Sequence, residues 1–253
     1  MEIIAHRGAA FDAPENSLEA FDIAIAQGAE RIELDIQLSR DRVPLVNHDD
    51  NTTRTADRTV EIQFATADEV RAARLDNGEP IPTFEETCAH LRGRVKLDVE
   101  LKATQPAVAE GILATMETHG FLADALITSF DPQVLRLVRQ LGYGGRTGLI
   151  VGSTSLNPRQ RMYEAWPFPA LEEARATDLV LHHRLLLPTI RARLTRGGLG
   201  LVLWMSMGDE EQPEHRRAAF YQRIQRIRPD GIIYARIAEG LRFFAAQEAH
   251  AEP

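Results

Sequence analysis

Cysteine is almost absent from this chain. Cys88 is the single cysteine among 253 residues, so an intramolecular disulfide and a cysteine-based metal cluster are both excluded. A lone cysteine is more often a small buried apolar residue than a nucleophile, and we interpret Cys88 in that way. Such sparing use of cysteine fits a protein of the reducing cytosol.

Long hydrophobic runs and a targeting segment are also missing. No apolar run approaches the roughly 18 residues that a bilayer-spanning helix needs. The first residues, MEIIAHRG, lack the basic stretch and apolar core of a secretory leader. We therefore expect a cytoplasmic protein with no stable membrane insertion.

Positive charge is in deficit. The chain has 29 Lys and Arg against 37 Asp and Glu, a net charge of −8, and its basic residues are spread along its length. Proteins that bind nucleic acid by neutralising phosphates carry concentrated positive charge. The composition therefore argues against a nucleic-acid partner, and it does not predict the oligomeric state.

Short apolar runs alternate with longer amphipathic segments along the chain. Helical patterns such as SLEAFDIAIAQG and DPQVLRLVRQLG lie between most of the runs. This alternation is typical of right-handed βαβ units and a mostly parallel sheet. The predicted strands are Ile3–Ala5, Arg31–Leu38, Val43–Asn47, Val95–Leu101, Ala125–Ser129, Thr147–Val151, Asp178–Leu181, Gly200–Met205 and Gly231–Tyr234.

One of these nine runs does not fit a parallel strand. Only SRDR separates IELDIQL from VPLVNH, which is too short for a parallel crossover and suits an antiparallel hairpin. Eight strands remain, so we predict an α/β fold, a (β/α)₈ TIM barrel that forms a single catalytic domain over residues 1–253. The polar stretch from about residue 49 to residue 82 is predicted to be a small insertion after the second barrel strand.

Polar residues gather where the strands are predicted to end, which is where the active site of such a barrel lies. Because side chains two positions apart in a strand share a face, the E-x-D of the second strand and the E-x-K of the third should each point one way. The hairpin would return its last histidine close to Asp35. The candidate residues are His6, Arg7, Glu33, Asp35, His48, Glu100 and Lys102.

Three carboxylates on neighbouring strand ends are costly unless something neutralises them. A hard divalent cation bound by Glu33, Asp35 and Glu100 resolves this conflict, and oxygen ligands favour Mg²⁺, Ca²⁺ or Mn²⁺. Two histidines beside the metal can divide proton abstraction from proton donation. The arginine and the lysine match phosphate oxygens. Together these groups indicate phosphodiester cleavage.

Each part also has an ordinary structural explanation. A His-Arg pair after a strand is often a surface cap or salt bridge, an E-x-D is often a solvated face, and a buried E-x-K is often a satisfied ion pair. The LHHR run at residues 181–184 is either a polar strand-end loop or a phosphate contact. The joint placement of the candidates at one end of the barrel favours a site over these separate explanations.

The motifs AHRG, PENS, IELDIQLSRDRVPLVNHDD, IPTFEE, LDVELK and ITSFDP occur in this order. The chain thereby resembles the glycerophosphodiester phosphodiesterases from Ile3 to about Pro132, and more loosely at LVLWM and DGII. The resemblance implies a TIM barrel with a small subdomain inserted after the second strand. It also implies His6 and His48 as acid and base, Arg7 as a phosphate contact, Lys102 as a cation that helps to stabilise the phosphorane-like charge, and Glu33, Asp35 and Glu100 as metal ligands.

Three further positions enter through the resemblance. Asn16 of PENS falls where the family has an asparagine near the site, although a helix N-cap is an equally good explanation. Phe130 and Trp204 fall where family members line the substrate pocket, although large aromatic residues at strand ends are also ordinary core.

The implied reaction is hydrolysis of a small-molecule glycerophosphodiester to sn-glycerol 3-phosphate and an alcohol, with one divalent cation, Mg²⁺ or Ca²⁺ ahead of Mn²⁺. By resemblance, a glycerol hydroxyl of the substrate attacks phosphorus first, and water then opens the cyclic phosphate. The sequence does not decide which histidine acts first. Two alternatives stay open: a lysophospholipase D-like enzyme acting on lysolipids, and a non-catalytic barrel that binds a phosphorylated metabolite.

Two segments depart from the family pattern. The family often carries WTVN after the late strand, where this chain has LWMSMGD, and GIIYARIAEG replaces a GIITD-x-P-like stretch. Both are predicted on the substrate side of the barrel. They put the usual alcohol preference in doubt and leave the metal and histidine set intact.

Overall fold

Eight parallel strands close into a barrel in this computed structural model, which describes residues 1–102, 106–152 and 158–248. The first strand pairs with both the second and the last, which completes the predicted (β/α)₈ barrel. All nine predicted strands are confirmed, each within one residue at either end. Their bounds are β1 (Glu2–His6), β2 (Arg31–Leu38), β3 (Pro44–Val46), β4 (Lys96–Leu101), β5 (Leu126–Ser129), β6 (Arg146–Val151), β7 (Asp178–His182), β8 (Gly200–Trp204) and β9 (Gly231–Tyr234).

Helices cover the outside of the barrel and bury their apolar faces against the strands. Among the described residues, no helix is both long and apolar enough to cross a bilayer. Short 3₁₀ helices lie at Ile62–Phe64 and His183–Leu185. The α-helices are α1 (Leu18–Ala26), α2 (Ala67–Arg71), α3 (Phe84–Leu91), α4 (Pro106–Thr118), α5 (Pro132–Gln140), α6 (Pro158–Ala165), α7 (Phe168–Ala174), α8 (Pro188–Gly197), α9 (Met207–Glu210), α10 (Glu214–Ile227) and α11 (Ile237–Glu248).

Strand β3 is the return limb of the predicted hairpin. It pairs antiparallel with β2, Val46 opposite Ile36, and the backbone N–H of Asn47 donates to the carbonyl of Asp35. The five residues between β2 and β3 can make this reversal but not a parallel crossover. His48 therefore lies at the carboxyl end of β2.

The segment after β3 is the predicted insertion. Residues 49–82 contain one 3₁₀ helix, α2 and isolated β-bridges, but no barrel strand. The segment has a small apolar cluster in which Ile62, Val70 and Ile81 are buried together with Leu45. This cluster fixes the segment beside the β2–β3 hairpin.

Inward-facing residues along the barrel strands change character with height. At the amino-terminal end, Arg31 pairs with Glu2, and Arg146 pairs with Asp178. An apolar layer follows, and the next inward positions on β1, β2 and β4 are polar. Because side chains alternate between the two faces of a strand, every second residue points into the barrel, and the relative register of the strands stacks these residues in layers. The apolar layer consists of Ile4, Leu126, Ile150, Val180, Val202 and Ile233.

Candidate active site

A cavity of about 630 Å³ opens at the carboxyl-terminal mouth of the barrel. Three of the predicted site residues, Asn16, Asp35 and Lys102, do not line it, but they contact Arg7 or Glu100, which do. The other seven predicted residues are brought together on its wall. They are His6, Arg7, Glu33, His48, Glu100, Phe130 and Trp204.

Three carboxylates form a buried cluster beside this cavity. Glu33 and Asp35 come from β2 and Glu100 from β4, and one oxygen of each lies within 4.8 Å of the others. Burial, followed by the charge of Asp35, raises the pKa of Glu33 well above its usual value and also raises that of Glu100. Full ionisation of all three carboxylates without a cation is therefore energetically costly.

Asp35 differs from its two neighbours because cations surround it. Lys102 Nζ lies 3.0 Å from Asp35 Oδ1 and 2.8 Å from Glu100 Oε1, and Arg7 Nε lies 3.3 Å from Asp35 Oδ2. Burial alone would raise the pKa of Asp35, but Lys102 and Arg7 together hold it well below its usual value. Asp35 is therefore a permanent anion at the centre of the cluster.

This donor set fits a divalent cation. The three side chains offer only oxygen, they are buried, and they are close enough for one ion to touch all three. Oxygen-only sites suit Mg²⁺, Ca²⁺ and Mn²⁺. A dipositive ion would remove the mutual repulsion that raises the pKa of Glu33 and Glu100.

His6 ends β1, and the chain turns sharply behind it. Arg7 and Gly8 both have positive φ, 58° and 81°, and a Cβ on Gly8 would lie 2.8 Å from the backbone of Ala20. Only glycine avoids that clash. The turn directs the Arg7 backbone N–H to Glu33 Oε2 at 3.0 Å. Burial, and then the charge of Arg7, lowers the pKa of His6 well below its usual value, so its imidazole is neutral.

His48 is held by a chain of charged side chains. Its Nδ1 lies 2.6 Å from Asp49 Oδ1, and Asp49 Oδ2 accepts from Arg54 Nε at 2.9 Å. Arg54 also donates to Glu15, which accepts from Arg7 at 3.0 Å. The chain of contacts therefore joins His48 to Arg7 through the inserted segment.

Asn16 lies under the carboxylate cluster. Its φ is 59°, its Nδ2 donates to Asp35 Oδ2 at 3.0 Å, and its buried Oδ1 has no hydrogen-bond partner among the residues that the structure describes. The N-cap of α1 is Ser17, whose Oγ accepts from the N–H of Ala20. The N-cap explanation of Asn16 is therefore wrong, because the side chain turns inward to the carboxylate.

Aromatic rings form the wall opposite the carboxylates. Phe130 and Trp204 meet edge to face, 6.4 Å between centroids, and Trp204 also packs against the ring of His182 at 4.6 Å. The indole Nε1 of Trp204 donates to the carbonyl of Val151. Both aromatic residues face the cavity while resting on the apolar layer of the barrel, so the two explanations of these residues are compatible.

Several contacts of the site were not anticipated from the sequence. Glu15, Asp49 and Arg54 lie within the recognised PENS and NHDD stretches or shortly after them, and that adjacency was the available signal. His182 and Arg184 of LHHR line the cavity together with Asp209 of the altered MSMGD segment. Local sequence patterns do not predict contacts between residues so far apart in the chain.

Residues 6–239 match the sequence pattern of the Glycerophosphoryl diester phosphodiesterase family. YhdW of Bacillus subtilis is 34% identical over 56% of this chain and 62% of its own length. A glycerophosphodiester phosphodiesterase of Caldanaerobacter subterraneus is 29% identical over 66% of this chain and 75% of its own. The human glycerophosphodiester phosphodiesterase 1 is 33% identical over 54% of this chain and 45% of its own. The matched segments thus cover from just under half to three quarters of these relatives.

Solved structures share the fold over nearly the whole chain. A glycerophosphodiester phosphodiesterase from Agrobacterium tumefaciens superposes with a TM-score of 0.80 at 23% identity, covering 97% of this chain and 99% of that one. A phosphodiesterase from Oleispira antarctica, solved with sn-glycerol-3-phosphate, gives 0.79 at 21% identity and covers 97% of both chains. At such identities the likeness establishes the fold alone. With the match over residues 6–239, the chain belongs to the glycerophosphoryl diester phosphodiesterase family.

Proposed function

We propose that this protein is a divalent-metal-dependent phosphodiesterase that hydrolyses a glycerophosphodiester to sn-glycerol 3-phosphate and an alcohol. One observation carries the proposal: three carboxylates within 4.8 Å of one another adjoin a cavity that two histidines also line. The family membership, the names of the relatives and the product bound in the Oleispira antarctica enzyme all support this substrate class.

Glu33, Asp35 and Glu100 are the residues that would hold the cation. When bound, such an ion draws in the phosphoryl oxygens and stabilises the charge that builds on them. Lys102 and Arg7 already contact Asp35 and keep it ionised. These two cations therefore keep a metal ligand deprotonated, in addition to any direct contact with phosphate.

Arg7 is the cation best placed to orient the phosphate, because it lines the cavity and Lys102 does not. Its guanidinium is held by Glu15 at Nη1 and by Asp35 at Nε, which limits its rotation. A planar guanidinium fixed in this way can pair with phosphate oxygens at little further cost in side-chain entropy.

The two histidines would move the protons. In the first step, His6 Nε2 accepts the proton of the substrate's glycerol hydroxyl as its oxygen attacks phosphorus, and His48 Nε2 gives a proton to the departing alcohol. In the second step, His48 accepts a proton from water as the water oxygen attacks phosphorus and opens the cyclic phosphate. His6 returns its proton to the glycerol oxygen that leaves the ring. Because burial lowers its pKa, His6 is neutral and can accept the first proton. Burial also lowers the pKa of His48, while the charge of Asp35 and the contact with Asp49 oppose that shift and favour the protonated imidazole.

Hydrolysis of glycerophosphocholine and glycerophosphoethanolamine by the metal-free protein, before and after adding Mg²⁺, Ca²⁺ or Mn²⁺, tests this proposal. We expect activity only with a metal, and a loss of at least 100-fold in kcat for His6→Ala and for His48→Ala. His215→Ala, an exposed histidine on α10, is the matched control and should retain full activity.

Full activity in a chelator would refute the metal requirement. Undiminished activity of either histidine variant would refute the proton-transfer roles. A lysophosphatidylcholine arm separates the lysolipid alternative, which requires faster turnover of that lipid than of glycerophosphocholine. Phosphodiester binding without any turnover in metal-replete buffer would instead indicate a non-catalytic barrel.

A further inference from the structure

Two histidines and an aspartate converge across the barrel from the carboxylate cluster. His182 ends β7, His183 follows it, and Asp209 comes from α9. In the strand order, β7 lies four strands away from β2, which is directly opposite in an eight-stranded barrel. The group is therefore separate from Glu33, Asp35 and Glu100, although both groups reach the same cavity.

The three side chains aim their polar atoms at one point. The Nε2 atoms of His182 and His183 lie 2.9 Å and 3.3 Å from the same oxygen, Asp209 Oδ2. One donor atom from each side chain lies within 4.8 Å of the other two. Two imidazoles and one carboxylate arranged in this way can share a single ion.

Neighbouring residues hold the two rings in place. The ring of His182 packs edge-on against Trp204, and the ring of His183 packs edge-on against Phe220 at 4.7 Å. Gly152, at φ 102°, makes room for His182, because a Cβ there would lie 2.5 Å from the Cβ of His182. The rings are thus ordered by packing as well as by their contact with the carboxylate.

The carboxylate is oriented by a second set of contacts. Ser206 Oγ donates to Asp209 Oδ2 at 2.8 Å, and the guanidinium of Arg184 donates to Oδ1. Supporting hydrogen bonds of this kind commonly fix the ligands of a metal site. His182 and Asp209 also line the cavity, so one side of the group is open to a ligand.

We propose that His182, His183 and Asp209 form a second divalent-cation site that prefers ions such as Zn²⁺ and Co²⁺ to Mg²⁺ and Ca²⁺. Imidazole nitrogen suits these softer ions, whereas the oxygen-only carboxylate cluster suits the harder ones. On binding, each neutral imidazole carries its proton on Nδ1, which frees the Nε2 lone pair for the ion. Three protein ligands leave a fourth position open toward the cavity.

Metal binding to the full, metal-stripped chain tests the proposal without any substrate, so its outcome is independent of the proposed function. The chain is first saturated with Mg²⁺ to occupy the carboxylate cluster and is then titrated with Co²⁺ and with Zn²⁺. We expect one equivalent of each ion, with visible d–d absorption from Co²⁺. His182→Ala, His183→Ala and Asp209→Asn should each weaken binding at least ~10-fold.

Two controls separate this site from others. His215→Ala, an exposed histidine, and Glu33→Gln, in the carboxylate cluster, should both leave the binding of Co²⁺ unchanged. Circular dichroism checks that each variant is folded, and Asp209→Asn keeps the shape of the side chain if the alanine variants unfold. Uptake of Co²⁺ that is equal in all folded variants, or that is lost with Glu33→Gln, would overturn the proposal. Absence of Co²⁺ and Zn²⁺ binding would show that the group is only a hydrogen-bonded contact between β7 and α9.

Discussion

Asp98 is a buried acid inside the barrel, two residues before Glu100 on the same inward face of β4. Thr128 Oγ1 donates to its Oδ1 at 2.8 Å, and within the described part of the chain its Oδ2 has no hydrogen-bond partner. Burial raises the pKa of Asp98 to about 7. An unpartnered oxygen of this kind suits a neutral carboxyl group better than a carboxylate.

Asp98→Asn should therefore stabilise the metal-free protein above neutral pH. In the unfolded chain the pKa of Asp98 is about 3.9. Because the folded pKa is higher, the contribution of Asp98 is fully present below about pH 3.9 and is lost as the pH rises through about 7. Asparagine avoids this loss, and we expect a gain of ~1–3 kcal/mol in the free energy of unfolding at pH 8.

Urea unfolding at pH 5 and at pH 8 measures this difference. The gain should shrink toward pH 5, where the wild-type carboxyl group is protonated in the folded state. Asp124→Asn, at an exposed position, is the matched control and should show no such pH dependence. An Asp98→Asn effect on the free energy of unfolding that is the same at both pH values would contradict a protonated Asp98.

Glu33 provides a second test at the scale of a residue. An ion bound only by the folded protein raises its stability by mass action, and at 100 times Kd the gain is ~2.7 kcal/mol. We expect Mg²⁺ or Ca²⁺ to raise the Tm of the wild-type protein by about 5 °C or more. In Glu33→Gln the rise should nearly vanish, whereas Glu110→Gln, an exposed change on α4, should keep it. Differential scanning fluorimetry measures these Tm values. If the metal raised the Tm of Glu33→Gln as much as that of the wild type, Glu33 would not be a metal ligand.

The inserted segment contacts the site through Asp49 and Arg54. Arg54 joins Asp49 to Glu15, and so links the proposed acid His48 to Arg7. Elsewhere the segment packs on its own apolar cluster. It is therefore coupled to the histidine electrostatically.

Arg54→Gln should change the pH profile as well as the rate. Without this cation the charge of Asp49 acts on His48 uncompensated and favours the protonated imidazole, so the pKa of His48 rises. We expect kcat/KM to fall about 10-fold and its basic limb to move to higher pH.

Arg58→Gln is the matched control from the same segment. Arg58 is exposed and pairs only with Asp57 among the contacts in the described residues, so both rate and profile should stay as in the wild type. A lower rate with an unmoved pH profile would mean that Arg54 acts only by holding the segment in place.

Elements were more predictable than contacts. Each strand is a short apolar run with clear ends, and the four residues of SRDR permit a hairpin but not a crossover, so local sequence determined the barrel and β3. The candidate histidines and carboxylates followed from strand register. Contacts such as that of Arg54 with Glu15, or of His182 with Asp209, join residues 39 and 27 positions apart. They depend on how loops pack, and local periodicity carries no information about that.

The amino-terminal end of the barrel is closed by charge. Arg31 is 2% exposed and donates to Glu2 and to the carbonyls of Leu97 and Asp124. It thereby joins β1, β2 and β4 with the loop before β5. Its guanidinium thus supplies, in place of water, the hydrogen bonds that the carbonyls of Leu97 and Asp124 accept.

Arg31→Met should destabilise the protein by ~3–5 kcal/mol, because the carbonyls of Leu97 and Asp124 lose this donor and Glu2 loses its shortest ion pair, keeping only Lys96 and Arg146 among the described residues. Arg40→Met, at an exposed pair with Glu69, should cost less than ~1 kcal/mol. Guanidinium unfolding measures both values. The folded Arg31→Met protein should keep its metal affinity, since Arg31 lies at the opposite end of the strands. A change in that affinity would show that the two ends are coupled.

The position of β1 between β2 and β9 has a consequence for the order of events during synthesis. By the time residue 102 has been made, all seven proposed catalytic and metal-binding residues exist, on strands whose outer edges are unpaired. The edge of β1 stays open until residues 231–234 leave the ribosome, and exposed strand edges invite aggregation. The residues proposed for catalysis and metal binding are thus made well before β9 pairs with β1. The nascent chain carries them through most of the synthesis of the barrel before the barrel closes around them.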